Sequence, residues 1–238
     1  MASDEVEPKL RFGFVEMLFA LTAAEIAIQA SDLVKYLGFD IAVLPAYSHL
    51  LFATTLVSTS WVGWLKSKAP GNRLDVETVF SWPFVVLLLD VFLVVCYFII
   101  VRGLDVKGSG DNVARTTPSS ANETLWLMVV FGGYFLWDVL TKAVIGYADD
   151  QQKSFLQRVQ GSRFWKRAWS AAACLLVTIA MFRFMGGFTT TWRVVATDGT
   201  LIAVVLLFRA LKQSSQKWSV AMLIAAAAGT VAGMYLVP

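Results

Sequence analysis

Residues 79–101 read VFSWPFVVLLLDVFLVVCYFIIV, and Asp90 is the only charged residue among them. An α-helix of about 20 apolar residues is long enough to cross the hydrocarbon core of a bilayer. The stretch therefore predicts a membrane-spanning helix that carries a carboxyl group near its middle.

The composition of the whole chain agrees with this segment. Of the 238 residues, 57% are hydrophobic and only 16% are charged, and the mean hydropathy is +0.64. A soluble domain has about 25% charged residues. A chain of this length cannot hide so much apolar surface in a single water-soluble core, so we expect lipid to be its solvent.

Six further segments have the length and apolarity of a span. With 79–101 they give an all-α transmembrane bundle of about seven spans, formed as one domain over 1–238. The predicted spans are 12–36, 41–65, 79–101, 124–146, 164–185, 194–211 and 218–237. Segment 194–211 is the weakest, because it is short and holds Asp198 and Arg209 near its ends. Six spans are therefore an alternative.

The distribution of Lys and Arg predicts the orientation. Most of them fall on the side of the N-terminus, so the positive-inside rule favours an inner N-terminus and an outer C-terminus. We expect a multi-pass protein of the plasma (inner) membrane with the polar loop 107–122 outside. Segment 149–167 would be cytoplasmic and would contact anionic lipid, the alternative being an ordinary orientation signal. Its basic residues are Lys153, Arg158, Arg163, Lys166 and Arg167.

The first predicted helix carries a polar stripe. Glu25, Gln29 and Asp32 recur at helical spacing and therefore share one face. Lipid does not tolerate such a face, so protein or water must cover it. The stripe predicts either the lining of an ion or solute path, or hydrogen bonds that fix how this helix packs.

Two further helices hold ionisable groups at membrane depth. Asp90 has no charged neighbour within a helical turn, so its partner must come from another helix. We interpret it as a site for a proton or cation, or else as a neutral hydrogen-bonding acid. Asp138 and Lys142 are four residues apart and can pair, which makes them either a gating or neutralising pair or a purely structural one.

The remaining polar residues near the predicted outer side give weaker signals. His49 is the only histidine in the chain, and it is either pH-sensitive or a hydrogen-bonded packing residue. Arg183 and Asp198 flank the Gly186-Gly187 connection and are candidates for an outer ion pair. Cys96 and Cys174 are expected at different depths, so we predict buried free thiols.

Small residues form a ridge on the last helix. Ala225, Gly229 and Gly233 lie at four-residue spacing and predict a docking face for another helix. That helix could belong to the same chain or to a second copy in a homo-oligomer.

Several function classes lack their motifs. The sequence has no phosphate loop, dinucleotide fingerprint, zinc-ligand cluster or nucleophile elbow, and no basic block typical of nucleic-acid binding. We therefore expect no enzyme, no catalytic residue, no metal site and no nucleic-acid partner. The leading hypothesis is a channel or transporter that moves protons, a cation or a small solute. The alternative is a non-transporting sensor, effector or scaffold subunit.

Overall fold

The computed structural model describes residues 9–67, 76, 78–104, 106–109, 112–115, 118–145, 154–160, 162–185 and 191–235. These residues form a bundle of α-helices with one small β-hairpin. The helices are α1 (Lys9–Leu37), α2 (Leu44–Lys66), α3 (Trp82–Val101), α4 (Ser120–Val139), α5 (Phe155–Gln160), α6 (Ser162–Met185), α7 (Thr191–Lys212) and α8 (Gln216–Tyr235). A 3₁₀ turn (Ile41–Val43) precedes α2, and a π-helical turn (Leu140–Ile145) continues α4.

Local chemistry explains where several helices begin and end. Ser81 and Ser119 are the N-caps of α3 and α4, where each hydroxyl accepts a hydrogen bond from a backbone N–H three residues on. Gly38 follows α1 with a φ of +63°, a left-handed conformation that glycine adopts without a side-chain clash.

Five helices are long and apolar enough to cross a membrane, among the residues that the structure describes. They are Gly13–Leu37, Ile41–Lys66, Trp82–Val101, Ser120–Ile145 and Thr191–Lys212. Each of the seven predicted segments coincides with one of the long helices. The apolar part of α6, Ala168–Phe184, is shorter than those of the five. The helical bundle is thus confirmed. Its five long apolar helices are those of an integral membrane protein.

The exposed surface of α3 shows which solvent the helix is built for. Leu88 is 52% exposed and Phe92 is 45% exposed, whereas Asp90 between them is only 4% exposed. A helix that turns its carboxyl group inward and large apolar side chains such as Leu88 and Phe92 outward suits lipid rather than water.

Helix α7 differs from its expectation. The segment predicted to be the weakest span is one of the five, and 61% of its most apolar stretch is buried. Asp198 lowers the hydropathy of this segment, but its side chain is fully buried and bound by Ser48. Polar residues that face protein do not oppose a position within the bundle.

The segment 107–122 is not entirely loop, and the fold is not purely α-helical. β1 (Val106–Ser109) pairs antiparallel with β2 (Asn112–Arg115), with Val106 opposite Arg115. Helix α4 then begins at Ser120, four residues before the predicted start at 124. This earlier start places Glu123 inside the helix.

The small-residue ridge of α8 packs against α7 of the same chain. A Cβ atom added at Gly229 would lie 2.3 Å from Thr200 Oγ1, so only glycine allows the two helices to come this close. Gly229 is half-buried and Gly233 is buried, whereas Ala225 is exposed. Cys96 and Cys174 are both free and buried, as predicted.

Candidate functional site

A cavity of about 900 Å³ lies at the end of the bundle where α2 and α7 finish and α8 begins. Its walls come from α2, α3, α4, α7 and α8. Lys66, Gln213 and Trp218 border it and are exposed, so the cavity meets the surface at this end. Under the predicted orientation this is the cytoplasmic end. Its polar lining includes Ser60, Asp90, Tyr97, Tyr134, Trp137, Asp138, Lys142, Arg209 and Lys212.

Asp138 holds two lysines at one wall of the cavity. Lys212 Nζ is 2.5 Å from Asp138 Oδ2, and Lys142 Nζ is 3.6 Å from Oδ1. Asp138 is 1% exposed and Lys142 is 7% exposed, so these charges stabilise each other where water is scarce. Lys142, the predicted partner, is the more distant of the two. The closer partner, Lys212, comes from the end of α7.

Asp90 finds its partner on another helix, as its isolation in the sequence required. Trp137 on α4 donates its indole N–H to Asp90 Oδ1 at 2.9 Å. The carboxyl group borders the cavity from α3 and is 4% exposed. Its position in the lining allows contact with a bound solute.

Aromatic rings and a guanidinium form a second wall. The rings of Tyr134 and Phe208 stack with centroids 5.0 Å apart and 3° between their planes. The guanidinium of Arg209 lies 5.1 Å from the Phe208 centroid, a cation–π contact. Gly63 makes room for this group, since a Cβ at that position would lie 2.0 Å from Arg209 Nη1.

A chain of hydroxyl groups fixes the position of Tyr134. Ser60 Oγ lies 2.5 Å from the Tyr134 hydroxyl, and the Tyr97 hydroxyl lies 2.8 Å from it on the other side. The three hydroxyl groups link α2, α3 and α4 in the lining of the cavity. Because each hydroxyl satisfies another, the polar atoms can be buried beside the aromatic wall.

The charged lining of the cavity has a cationic excess. Four basic side chains border it, Lys66, Lys142, Arg209 and Lys212, against two carboxyl groups, Asp90 and Asp138. Arg209 pairs with no carboxylate in the described part of the chain, and its Nε has no hydrogen-bond partner there. The lining therefore favours an anionic group over a cation.

The polar stripe on α1 lies outside this cavity. Gln29 donates to Glu25 Oε1 at 2.9 Å, and Arg102 at the end of α3 pairs with the same oxygen at 2.8 Å. Of the predicted path residues, only Asp90 borders the cavity, and Glu25, Gln29 and Asp32 do not. The structure thus does not bring these four residues together in one cavity. Glu25 thus joins α1 to the end of α3 through Arg102, which lies 77 positions further along the chain.

A second polar site lies at the opposite ends of the same helices. His49 Nδ1 contacts Glu123 Oε1, and Ser48 donates a hydrogen bond to Asp198 Oδ2. Ser48 and His49 are adjacent residues, so their contacts hold the carboxyl groups of Glu123 and Asp198 in the same buried cluster. The three titratable side chains come from the N-terminal parts of α2, α4 and α7 and are at most 3% exposed. We call this set the outer cluster, after the side on which the predicted orientation places it.

The expected pair between Arg183 and Asp198 does not form among the described residues. Asp198 is fully buried in the outer cluster, whereas Arg183 is exposed at the end of α6. The residue that Asp198 meets instead, Glu123, lay just outside the predicted span. His49, which showed no companion in the sequence, therefore has one in Glu123.

An apolar layer separates the outer cluster from the cavity. Phe52 and Leu56 of α2, Phe131 of α4 and Leu201 of α7 are buried in one core cluster at intermediate positions of these helices. The cavity lining on α2 begins only at Ser58. The cavity is thus closed towards the outer cluster by packed side chains.

Arg158 has a role inside the protein. Its guanidinium donates to the carbonyl oxygens of Val144 at 2.8 Å and Ile145 at 3.3 Å. It thus caps the end of the α4 extension, a common use of a basic side chain. Lys153 lies outside the described residues, as do the side chains of Arg163, Lys166 and Arg167.

Three sets of comparisons add no relative. The chain matches no protein-family model, no curated protein and no solved structure. No three His, Cys, Asp or Glu side chains within the described ranges are placed to hold a metal ion.

Proposed function

We propose that this integral membrane protein binds a small organic anion in the cavity and moves it across the membrane. The observation that carries the proposal is the cavity itself, about 900 Å³ with a cationic lining at one end of the bundle. Ligand sites of this size are concave and mostly apolar, and a few polar groups fix the orientation of the ligand.

The lining suggests the shape of the solute. The Tyr134–Phe208 stack offers a flat apolar surface, and the Arg209 guanidinium lies at its edge. A solute with an aromatic or apolar body and one carboxylate, sulfonate or phosphate group fits both features. Lys212 is partly exposed and lies beside the same wall, 5.5 Å from the Phe208 centroid. Asp90 opposite would repel a second negative charge.

The apolar layer supports transport by alternating access. A cavity that is open at one end and closed by packed side chains at the other resembles one state of a transporter whose helices rock around a central site. Movement of α2, α4 and α7 against one another would open the layer around Phe52 and Phe131. We place the protein in the plasma membrane, with anionic lipid on its basic cytoplasmic segment.

The alternative is a non-transporting sensor, effector or scaffold subunit. The pairing of Glu25 with Gln29 and Arg102 favours it, because these acids hold helices together and line no path. A sensor would bind the anion without moving it. Binding and flux must therefore be measured separately.

The binding experiment uses two aromatic probes that carry opposite permanent charges. Benzenesulfonate should raise the unfolding midpoint of the purified protein in a concentration-dependent way, because a ligand of the folded state stabilises it. Benzyltrimethylammonium should not. Arg209→Gln should weaken the benzenesulfonate effect about 10-fold or more, the value of one charge-assisted contact. Arg183→Gln, which removes an exposed charge away from the cavity, is the matched control.

The flux experiment uses liposomes with the same probes. Wild-type protein should take up labelled benzenesulfonate faster than empty liposomes, and Arg209→Gln should slow this uptake. Binding without uptake would favour the sensor. Equal or stronger stabilisation by the cationic probe would overturn the anion proposal.

A further inference from the structure

The outer cluster joins three titratable side chains that the solute cavity does not use. His49 and Asp198 are fully buried and Glu123 is 3% exposed, although all three belong to helices that also line the cavity. The group reaches this position because α2, α4 and α7 begin at the same end of the bundle. Nothing in the sequence spacing brings residues 49, 123 and 198 together.

The hydrogen bonds of the cluster leave two oxygen atoms without a donor. Glu123 Oε1 is occupied by His49 Nδ1, and Asp198 Oδ2 is occupied by the Ser48 hydroxyl. Glu123 Oε2 and Asp198 Oδ1 are buried and have no hydrogen-bond partner among the described atoms. No Lys or Arg in the described part of the chain pairs with either carboxyl group. A carboxylate buried in this way loses its hydration and gains nothing in return.

We propose that Glu123 and Asp198 form a proton-binding site in which the two carboxyl groups share one proton at neutral pH. Two carboxylates in one buried site repel each other, and a single proton between them removes the repulsion and supplies the missing donor. His49 donates from Nδ1 to Glu123 Oε1 and so leaves Glu123 Oε2 for the shared proton. On release, the proton passes to water and the net charge of the pair changes from −1 to −2.

Within the described residues, His49 is the only titratable group besides the two acids in the cluster, and its Nδ1 already contacts Glu123 Oε1. The other side chain that the pair meets from α2 is the Ser48 hydroxyl, and the Ser120 hydroxyl of α4 is also buried without a partner. Gly103, just after α3, lies against the His49 ring. The site is therefore distinct from the solute cavity, and its test does not depend on transport.

Asp138 provides an internal comparison. Its side chain is 1% exposed, as buried as the pair, but two lysine ammonium groups lie against it. The carboxyl group of Asp138 thus has the ammonium donors that Glu123 and Asp198 lack among the described residues.

The test is infrared spectroscopy of the purified protein in lipid at neutral pH. The wild type should show the carbonyl-stretch band of a protonated carboxylic acid, which shifts when water is replaced by heavy water. Glu123→Gln and Asp198→Asn should each remove the same band, because an amide N–H replaces the shared proton and leaves the other group ionised. Asp40→Asn, which changes an exposed acid away from the cluster, should leave it unchanged. Any band from Asp90 cancels in the difference between wild type and variant.

The single histidine supplies a check that the variants keep the site. Nitrogen NMR of protein labelled in histidine reports only on His49, because the chain has no other histidine. Nδ1 should carry a proton in the wild type and in Asp198→Asn. A difference spectrum without a lost carboxylic-acid band, for either folded variant, would overturn the proposal. A wild type with no carboxylic-acid band would overturn it as well.

Discussion

Lys212 Nζ lies 2.5 Å from Asp138 Oδ2, a contact between residues 74 positions apart that joins the end of α7 to the end of α4. Lys142, one helical turn from Asp138, is the more distant partner at 3.6 Å. Two ammonium groups thus meet at the Asp138 carboxylate. Its loss would remove from Lys142, which is 7% exposed, the carboxylate of its own helix.

Asp138→Asn should therefore destabilise the protein strongly. Removing one partner of a buried ion pair costs about 3–5 kcal/mol, because the remaining charge stays buried. Lys142→Met should cost about 1 kcal/mol or less, since Asp138 keeps Lys212 and the methionine fills a similar volume. The free energy of unfolding in mixed micelles, measured by titration with denaturing detergent, compares the two. Equal losses of unfolding free energy in the two variants would contradict the expectation that Asp138 keeps a sufficient partner in Lys212.

Gly229→Ala should separate α8 from α7. The new methyl group would meet Thr200 Oγ1 at 2.3 Å, and overpacking of this kind costs about 1–3 kcal/mol. Adding Thr200→Ala should recover much of the loss, because it removes the oxygen that clashes. A double-mutant cycle on the unfolding free energy measures this coupling.

Gly132→Ala is the matched control for that cycle. An added Cβ at Gly132 meets no atom within 4 Å. Alanine is favoured over glycine in a helix by up to about 1 kcal/mol, so this variant should be neutral or more stable. If Gly132→Ala lowered the free energy of unfolding as much as Gly229→Ala does, the loss at Gly229 could not be assigned to the α7–α8 contact.

Tyr134→Phe should cost more than Tyr97→Phe. The Tyr134 hydroxyl lies between Ser60 and Tyr97, so its removal breaks both hydrogen bonds and leaves the buried Tyr97 hydroxyl without a partner. We expect a loss of about 1–3 kcal/mol for Tyr134→Phe. Tyr97→Phe keeps the Ser60 contact and should cost about 1 kcal/mol. Thermal unfolding of the two variants in the same detergent gives the order.

Gly63→Ala should impair binding more than folding. Its methyl group would occupy the space of Arg209 Nη1, the mobile end of a long side chain that can move away. The unfolding midpoint should change little, while stabilisation by benzenesulfonate should fall by about 10-fold in apparent affinity. Gly199→Ala, where an added Cβ meets nothing within 4 Å, is the control. Unchanged affinity would show that the Arg209 position does not matter.

The errors of sequence interpretation have particular causes. Arg209 was seen only as a charge near the end of a weak span, although it lines the cavity together with Lys212. Glu123 lay outside the span predicted from 124, and the Ser119 cap places the start of the helix earlier. The spacing of Glu25, Gln29 and Asp32 could not show that Arg102 pairs with Glu25.

The sequence by itself determined the long apolar helices and the rule that Asp90 and Asp138 must turn away from lipid. These features follow from local quantities, the length of an apolar run and the spacing of polar residues along a helix. Only the tertiary structure decided which residues meet. It placed Lys212 on Asp138, and His49, Glu123 and Asp198 in one buried cluster. Such contacts depend on which helices are neighbours and at what height, and an apolar sequence records neither, because its buried and lipid-facing sides have the same composition.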